Sequence, residues 1–221
     1  FDDTSGCAPH LIVAPWRDAA PADAEWDMLG LAASEPNPFF ERWFLTASLR
    51  AFDPQGKVLI AQMRVDGKLA GLVPLSFGNS YYGRPVPHLS VWLHDNAFCG
   101  VPLVVRGFEA MFWQELLRWV DDHAGPACFL HLPTMPENCA LDTALCVVAQ
   151  ESRRVSEVVG RDERALLSSD LSPEDYFAES LPREKRKELR RQARRLAEQG
   201  TLAVERTGVP EHWTASLVGH Q

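Results

Sequence analysis

The chain has 221 residues, of which 46 % are apolar and seven are Trp, and its 30 acidic against 22 basic side chains leave a net charge of −8. This composition supports a buried core and excludes a disordered chain. No apolar run approaches the roughly 20 residues of a bilayer-spanning helix. The acidic balance is the reverse of a nucleic-acid footprint, so nucleic-acid binding ranks third among the functions the sequence suggests.

The size fits one large domain or one and a half ordinary ones. Five Cys (7, 99, 128, 139, 146) are odd in number and show no CxxC spacing, which predicts reduced thiols in a cytoplasm, with neither a disulfide frame nor a zinc site. The opening Phe-Asp-Asp-Thr-Ser-Gly has no basic or apolar leader region, so no signal peptide is expected. The first residue is not Met, so the chain is expected to lack its true N-terminus.

In chain order, Leu11 to Ala14 reads as a first strand and Ala22 to Ala33 as a helix with Trp26, Leu29 and Ala33 inward. Asn37 reads as the N-cap of a second helix, with Pro38 at its first position and Phe40, Trp43, Phe44 and Ala47 on one apolar stripe. Asp53-Pro-Gln-Gly56 is a turn. Val58 to Val65 and Lys68 to Phe77 read as strands joined by Asp66-Gly67, a strong hairpin signal because both turn residues need positive φ.

A strand is expected near Val86 to Leu93, followed by an irregular stretch from His94 to Pro102. Arg106 to His123 reads as a helix burying Phe108, Met111, Phe112, Leu116, Trp119 and Val120. Ala127 to Leu132 is expected as a buried strand, Asn138 as the cap of a helix carrying Leu141, Leu145 and Val148, and Val155 to Val159 and Ala165 to Leu167 as strands. Ser172-Pro-Glu-Asp175 is a capping box opening a short helix. Thr201 to Arg206 reads as a last strand, before a tail helix from Pro210 that ends in mid-pattern. The alternation predicts an α+β (mixed α/β) chain with helices on the faces of a mixed sheet.

Between Ser180 and Thr201 lies the most unusual element, a helix opened by Pro182 and closed by Gly200. Pro182 to Arg195 holds eight Lys or Arg against two Glu, a charge of +6. Against a whole-chain charge of −8, that leaves −14 elsewhere. Charge runs of this kind are usually solvated faces. The sharper reading is a surface for an anionic ligand or an acidic partner, contacted by Lys185, Arg186, Arg190 and Arg191, with Arg84 in the Gly83-Arg-Pro loop as a further candidate.

Several stretches, namely Asn37-Pro-Phe-Phe-Glu-Arg-Trp43, Gly67-Lys-Leu-Ala-Gly-Leu-Val-Pro-Leu75, Cys99-Gly-Val-Pro-Leu103 and above all the basic helix, resemble the GNAT acyltransferases. Within them the closer match is the Fem-like branch, specifically CelD-type acetyltransferases of bacterial polysaccharide and cellulose synthesis. The resemblance implies a GNAT-like mixed sheet flanked by helices, as the first half of a tandem arrangement. It divides the chain into an N-terminal GNAT-like domain, 1–170, and a linking basic helix with the start of a second half, 171–221.

The resemblance also implies acetyl-CoA or another acyl-CoA as co-substrate of the full-length protein, a saccharide or small-molecule acceptor, a partner half or chain, and no metal. It places the acyl-CoA site in the second half. The family's pyrophosphate loop, Gln/Arg-x-x-Gly-x-Gly/Ala, puts the phosphates on backbone N–H groups at a helix N-terminus. The nearest approach, Arg64-Val-Asp-Gly67-Lys-Leu69, lacks the last small residue and sits on a hairpin turn. The chain is therefore expected to be a fragment with no cofactor loop of its own.

Other chemistry reads as weak. His94, Asp95 and Cys99 lie close in sequence, but a buried inert Cys is the commoner case. His88, His94 and Cys99 fit no standard metal spacing. His131 reads as a core histidine, and Phe39 and Trp43 as core aromatics that could border a groove. No GxSxG, Walker or HExxH motif occurs. The competing function is a non-catalytic scaffold that docks an acidic partner through residues 182–199.

Overall fold

The structure is a computed structural model that describes residues 9–164 and 169–201. The chain forms two compact units, Phe1–Asp162 and Glu163–Gln221.

In the first unit, β1 (Pro9–Pro15) leads through the single-turn α1 (Trp16–Ala19) into α2 (Asp23–Ala32) and α3 (Arg42–Phe52). The hairpin β2 (Leu59–Val65) and β3 (Lys68–Gly78) follows, then β4 (His88–Val91), β5 (Leu103–Val104), α4 (Glu109–His123), β6 (Leu130–His131) and α5 (Ala140–Glu151). The sheet order is β1-β2-β3-β4-β6, with β5 also paired to β3. All pairs are antiparallel except β4 with β6. The fold is the α+β mixed sheet with flanking helices that the sequence predicts.

The hairpin forms where Asp66-Gly67 places it. Asp66 lies at φ 50° and Gly67 at φ 77°, the left-handed pair that matches strand twist. Leu69 to Leu75 of β3 are buried without a break, so both faces of the sheet are covered. Gly71 lets α4 approach, since a Cβ there would stand 2.5 Å from a Phe112 ring carbon. Two buried indoles are satisfied internally: Trp26 donates to the Phe40 carbonyl at 2.9 Å and Trp113 to the Leu141 carbonyl at 2.8 Å.

Several expectations are corrected. The helix expected at Pro38 begins at Arg42, and Pro38 to Phe40 form a turn. The buried positions of α3 are therefore Leu45, Ser48 and Leu49, while Trp43 is 57 % exposed and Ala47 is also exposed. α4 begins at Glu109 instead of Arg106, and it buries Trp113 and Leu117 beside Phe112 and Leu116. The cap of α5 is Cys139, whose Sγ accepts from the Asp142 N–H, while Asn138 takes φ 60°. Val155 to Val159 form no strand, and Val155 is 90 % exposed. The two-residue β5 carries no periodicity and has no signal in the sequence. The strands expected at Ala165 to Leu167 and beyond Thr201, and the helix from Pro210, lie outside the described residues.

The second unit holds α6 (Pro173–Ser180) and α7 (Arg183–Ala197). The capping box forms as read, with Ser172 Oγ accepting from the Asp175 N–H at 3.1 Å. Neither helix buries a side chain.

Candidate functional site

β4 and β5 are two pieces of one strand along β3. Val91 lies opposite Leu75 and Leu103 opposite Leu72. Residues 92–102 leave the sheet between them. Pro74 of β3 stands at the break, where its missing N–H costs no ladder bond. Its carbonyl accepts from the Trp92 N–H at 2.9 Å.

β6 runs parallel to β4 through Leu89–Leu130 and Ser90–His131. The carboxyl ends of these two strands define the crevice in which open sheets with parallel strands take their ligands. In this chain the 92–102 excursion packs there on the segment that leaves β6. The Gly100 N–H donates to the Thr134 carbonyl at 3.2 Å, and a Cβ on Gly100 would stand 2.0 Å from the Pro133 oxygen.

Asn37 pins the excursion. It is fully buried at 0 % exposure. Its Nδ2 donates to the Cys99 carbonyl at 3.2 Å and the Val101 carbonyl at 2.6 Å, while its Oδ1 accepts from the Phe39 N–H at 3.1 Å. Expected to be a helix cap, it is instead a cross-link between the α2–α3 connection and the excursion.

The helix that follows begins with its own acid. Gly107 N–H donates to the Glu109 carboxylate at 2.9 Å. An incoming phosphate at the start of α4 would meet a carboxylate already bonded there.

Of the ligand-contact residues read from sequence, Arg84 belongs to the first unit. It closes a tight turn with Tyr81 through two backbone bonds of 2.9 and 3.0 Å, and Tyr82 and Gly83 supply φ 47° and 76°. Its side chain is exposed. Lys185, Arg186, Arg190 and Arg191 share α7 in the second unit. Arg191 pairs with Glu188 at 2.7 Å, and this hydrogen bond holds the Glu188 carboxyl below its usual range. Lys185, Arg186 and Arg190 make no ion pair among the described residues.

His94 is an aromatic packing element. Its ring stacks on Phe44 (5.9 Å between centroids, 8°) and Phe52 (4.4 Å, 26°), with Trp92 at 5.4 Å. Nδ1 accepts from the Asn96 N–H at 3.3 Å, and Nε2 is buried with no hydrogen-bond partner among the described residues. Burial pushes its pKa down, opposed by the Asp95 charge.

His131, expected in the core, is half-buried on the short β6, with Tyr81 and His88 as ring neighbours. Its pKa is lowered first by burial and then by His88. No cluster of three or more His, Cys, Asp or Glu able to hold a metal ion occurs among the described residues. Phe39 is half-buried, edge-on to Phe44 and Phe98, and Trp43 donates to the Glu41 carboxylate at 2.8 Å from the surface.

No family model matches the sequence, and no curated protein matches it. The chain is similar to solved acetyltransferase structures. One is a ribosomal-protein-alanine N-acetyltransferase from Brucella melitensis biovar Abortus 2308, at 15 % identity and a TM-score of 0.44, covering 72 % of this chain and 99 % of that one. Another is a GNAT family acetyltransferase from Staphylococcus aureus, at 10 % identity and a TM-score of 0.39, covering 72 % and 98 %. A third is an aminoglycoside N-acetyltransferase in complex with CoA, at 14 % identity and a TM-score of 0.40, covering 74 % and 99 %. No helix among the described residues is long and apolar enough to cross a membrane.

Proposed function

We propose that the first unit is the acceptor-side, non-catalytic half of a GNAT-type, acyl-CoA-dependent N-acyltransferase of the Fem-like, CelD kind. The observation that carries this reading is the crevice beyond β4 and β6. It is packed by the chain's own residues 92–102, which Asn37 anchors through two carbonyls. The Glu109 carboxylate at the start of α4 supports it further.

In the full-length bacterial protein the acyl-CoA occupies a second half. The acceptor, an amine or hydroxyl of a sugar nucleotide or polysaccharide precursor in the cytoplasm, attacks the thioester carbonyl directly. Backbone N–H groups stabilise the oxyanion that forms. The part of this chain is to shape the acceptor groove; the candidate contacts for anionic groups of the ligand are the cations of α7 and, separately in the first unit, Arg84.

Calorimetric titration of the chain with acetyl-CoA tests this reading. No saturable heat beyond that given by pyrophosphate alone is expected. Saturable binding near micromolar that excess pyrophosphate does not displace would refute the division of labour and make the chain a complete, divergent transferase.

A second reading is favoured by α7, which buries nothing and carries Lys185, Arg186 and Arg190 without ion pairs among the described residues. Such a helix fits a scaffold that docks an acidic partner. The two readings separate on charge reversal in α7. The scaffold loses partner capture with acyl transfer intact, while the transferase half loses acceptor affinity.

A further inference from the structure

A second concavity lies apart from the crevice. It is a groove of about 470 Å³ whose lining includes Trp16, Arg17, Asp23, Thr46, Arg50 and Ile60. Two arginines, Arg17 and Arg50, line it in the acidic unit. Residues 1–162 hold 20 Asp or Glu against 12 Lys or Arg. Five of those cations (Arg42, Arg64, Arg118, Arg154 and Arg161) are spent in ion pairs within that unit. Arg17 and Arg50 pair with no carboxylate among the described residues. Asp23, the acid of the groove, is engaged by Arg42 at 3.2 Å.

Arg17 is held in place by its surroundings. Its guanidinium carbon lies 4.8 Å from the Trp16 ring centroid, and Nη2 donates to the Pro54 carbonyl at 3.0 Å. Trp16 is itself fixed by a 3.0 Å bond from Nε1 to the Asp53 carboxylate. Gly56, at φ 71°, leaves the space that the Arg17 stem fills, since a Cβ there would stand 2.8 Å from Arg17 Cδ. Covering Trp16 and closing the turn uses one N–H of the fork, and the others bond to nothing among the described residues. The terminal position of Arg50 suits the α3 dipole, but that does not account for a second arginine in the lining of the same groove, which Thr46 also lines.

From this we infer that the Arg17–Arg50 groove binds a phosphate group, as a phosphate ester or a pyrophosphate. Guanidinium forks match phosphate oxygens bidentately, and a fork already oriented loses less entropy on binding. The inference does not depend on acyl transfer.

The test is ¹⁵N NMR of the whole chain titrated with pyrophosphate, inorganic phosphate, glucose 1-phosphate and glucose at constant ionic strength. The Trp16 indole and the Arg17 and Arg50 Nε–H signals are expected to shift and saturate with the three phosphates and to stay still with glucose. A tighter fit for glucose 1-phosphate than for inorganic phosphate would mark a phosphorylated sugar as the ligand, and equal affinities the anion alone.

Arg50→Gln touches no bonded partner and should keep the fold's spectrum while weakening pyrophosphate about tenfold or more. Arg17→Lys, which keeps the charge and loses the fork, should fall between that variant and the parent. The inference is overturned by unsaturable shifts, by shifts confined to α7, or by an unchanged affinity in Arg50→Gln.

Discussion

Replacing Asn37 by Ala should both destabilise the first unit and loosen the residues that pack the crevice. The variant deletes the two bonds to the Cys99 and Val101 carbonyls and the one from the Phe39 N–H. A hydrogen bond is worth about 1 kcal/mol net, and a buried polar group left unsatisfied costs about 1–3 kcal/mol. Val101 is 1 % exposed and Gly100 is buried, so water does not readily replace the lost donor. The combined loss is therefore about 3 kcal/mol.

At roughly 2–4 °C per kcal/mol for a domain of this size, the midpoint of a thermal melt should drop by about 6–12 °C. Hydrogen exchange adds the locational readout. The Gly100 amide, bonded to the Thr134 carbonyl at 3.2 Å, should exchange faster relative to the β2–β3 ladder. Asn37→Asp, which sets acceptors against two carbonyl oxygens, should be no more stable than the Ala variant. A loss under about 1 kcal/mol, or unchanged relative protection at Gly100, would refute the anchoring role.

Gly100→Ala should act at the same place from the other side, because its Cβ would stand 2.0 Å from the Pro133 oxygen. A loss of about 1–3 kcal/mol in urea unfolding is expected from overpacking, and an unchanged midpoint would contradict the close approach. For pH, burial lowers the imidazole pKa of His94, and burial with His88 lowers that of His131. A base held low binds fewer protons folded than unfolded, so stability is complete above the ordinary imidazole range and falls as the pH drops through it. Urea midpoints at about pH 7.5 and about pH 5.5 should show that fall, with His94→Phe reducing it; a higher midpoint at the lower pH would reverse the sign and defeat the argument. On α7, charge reversal at Arg190 and Arg191 together should cut ligand binding and full-length activity by about tenfold or more with no change in melting, since neither side chain is buried; two unchanged values would remove α7 from the site.

The sequence by itself determined the elements whose signals are local. Asp66-Gly67 set the hairpin because both φ angles must be positive. The capping box at Ser172 carries its partner three residues on, and Pro182 stands directly before the basic helix as read, but that helix ends at Ala197 with Glu198 as its C-cap and Gly200 takes no left-handed φ. The helical period between Arg106 and His123 likewise marked α4 to within a turn.

Only the tertiary structure decided what depends on distant pairs. Asn37 reads locally as a cap, and its carbonyl partners lie 62 and 64 residues away. That long-range bonding moves the start of α3 to Arg42 and turns Trp43 out to solvent. β5 has two residues and no pattern, and it exists because β3 offers an unpaired edge beyond the break. Arg17 is fixed only on folding, when Pro54 and Gly56, closing their own turn, supply the carbonyl and the space. Turn chemistry and periodicity are carried by neighbours in the chain, whereas a groove is made by residues that become neighbours only on folding.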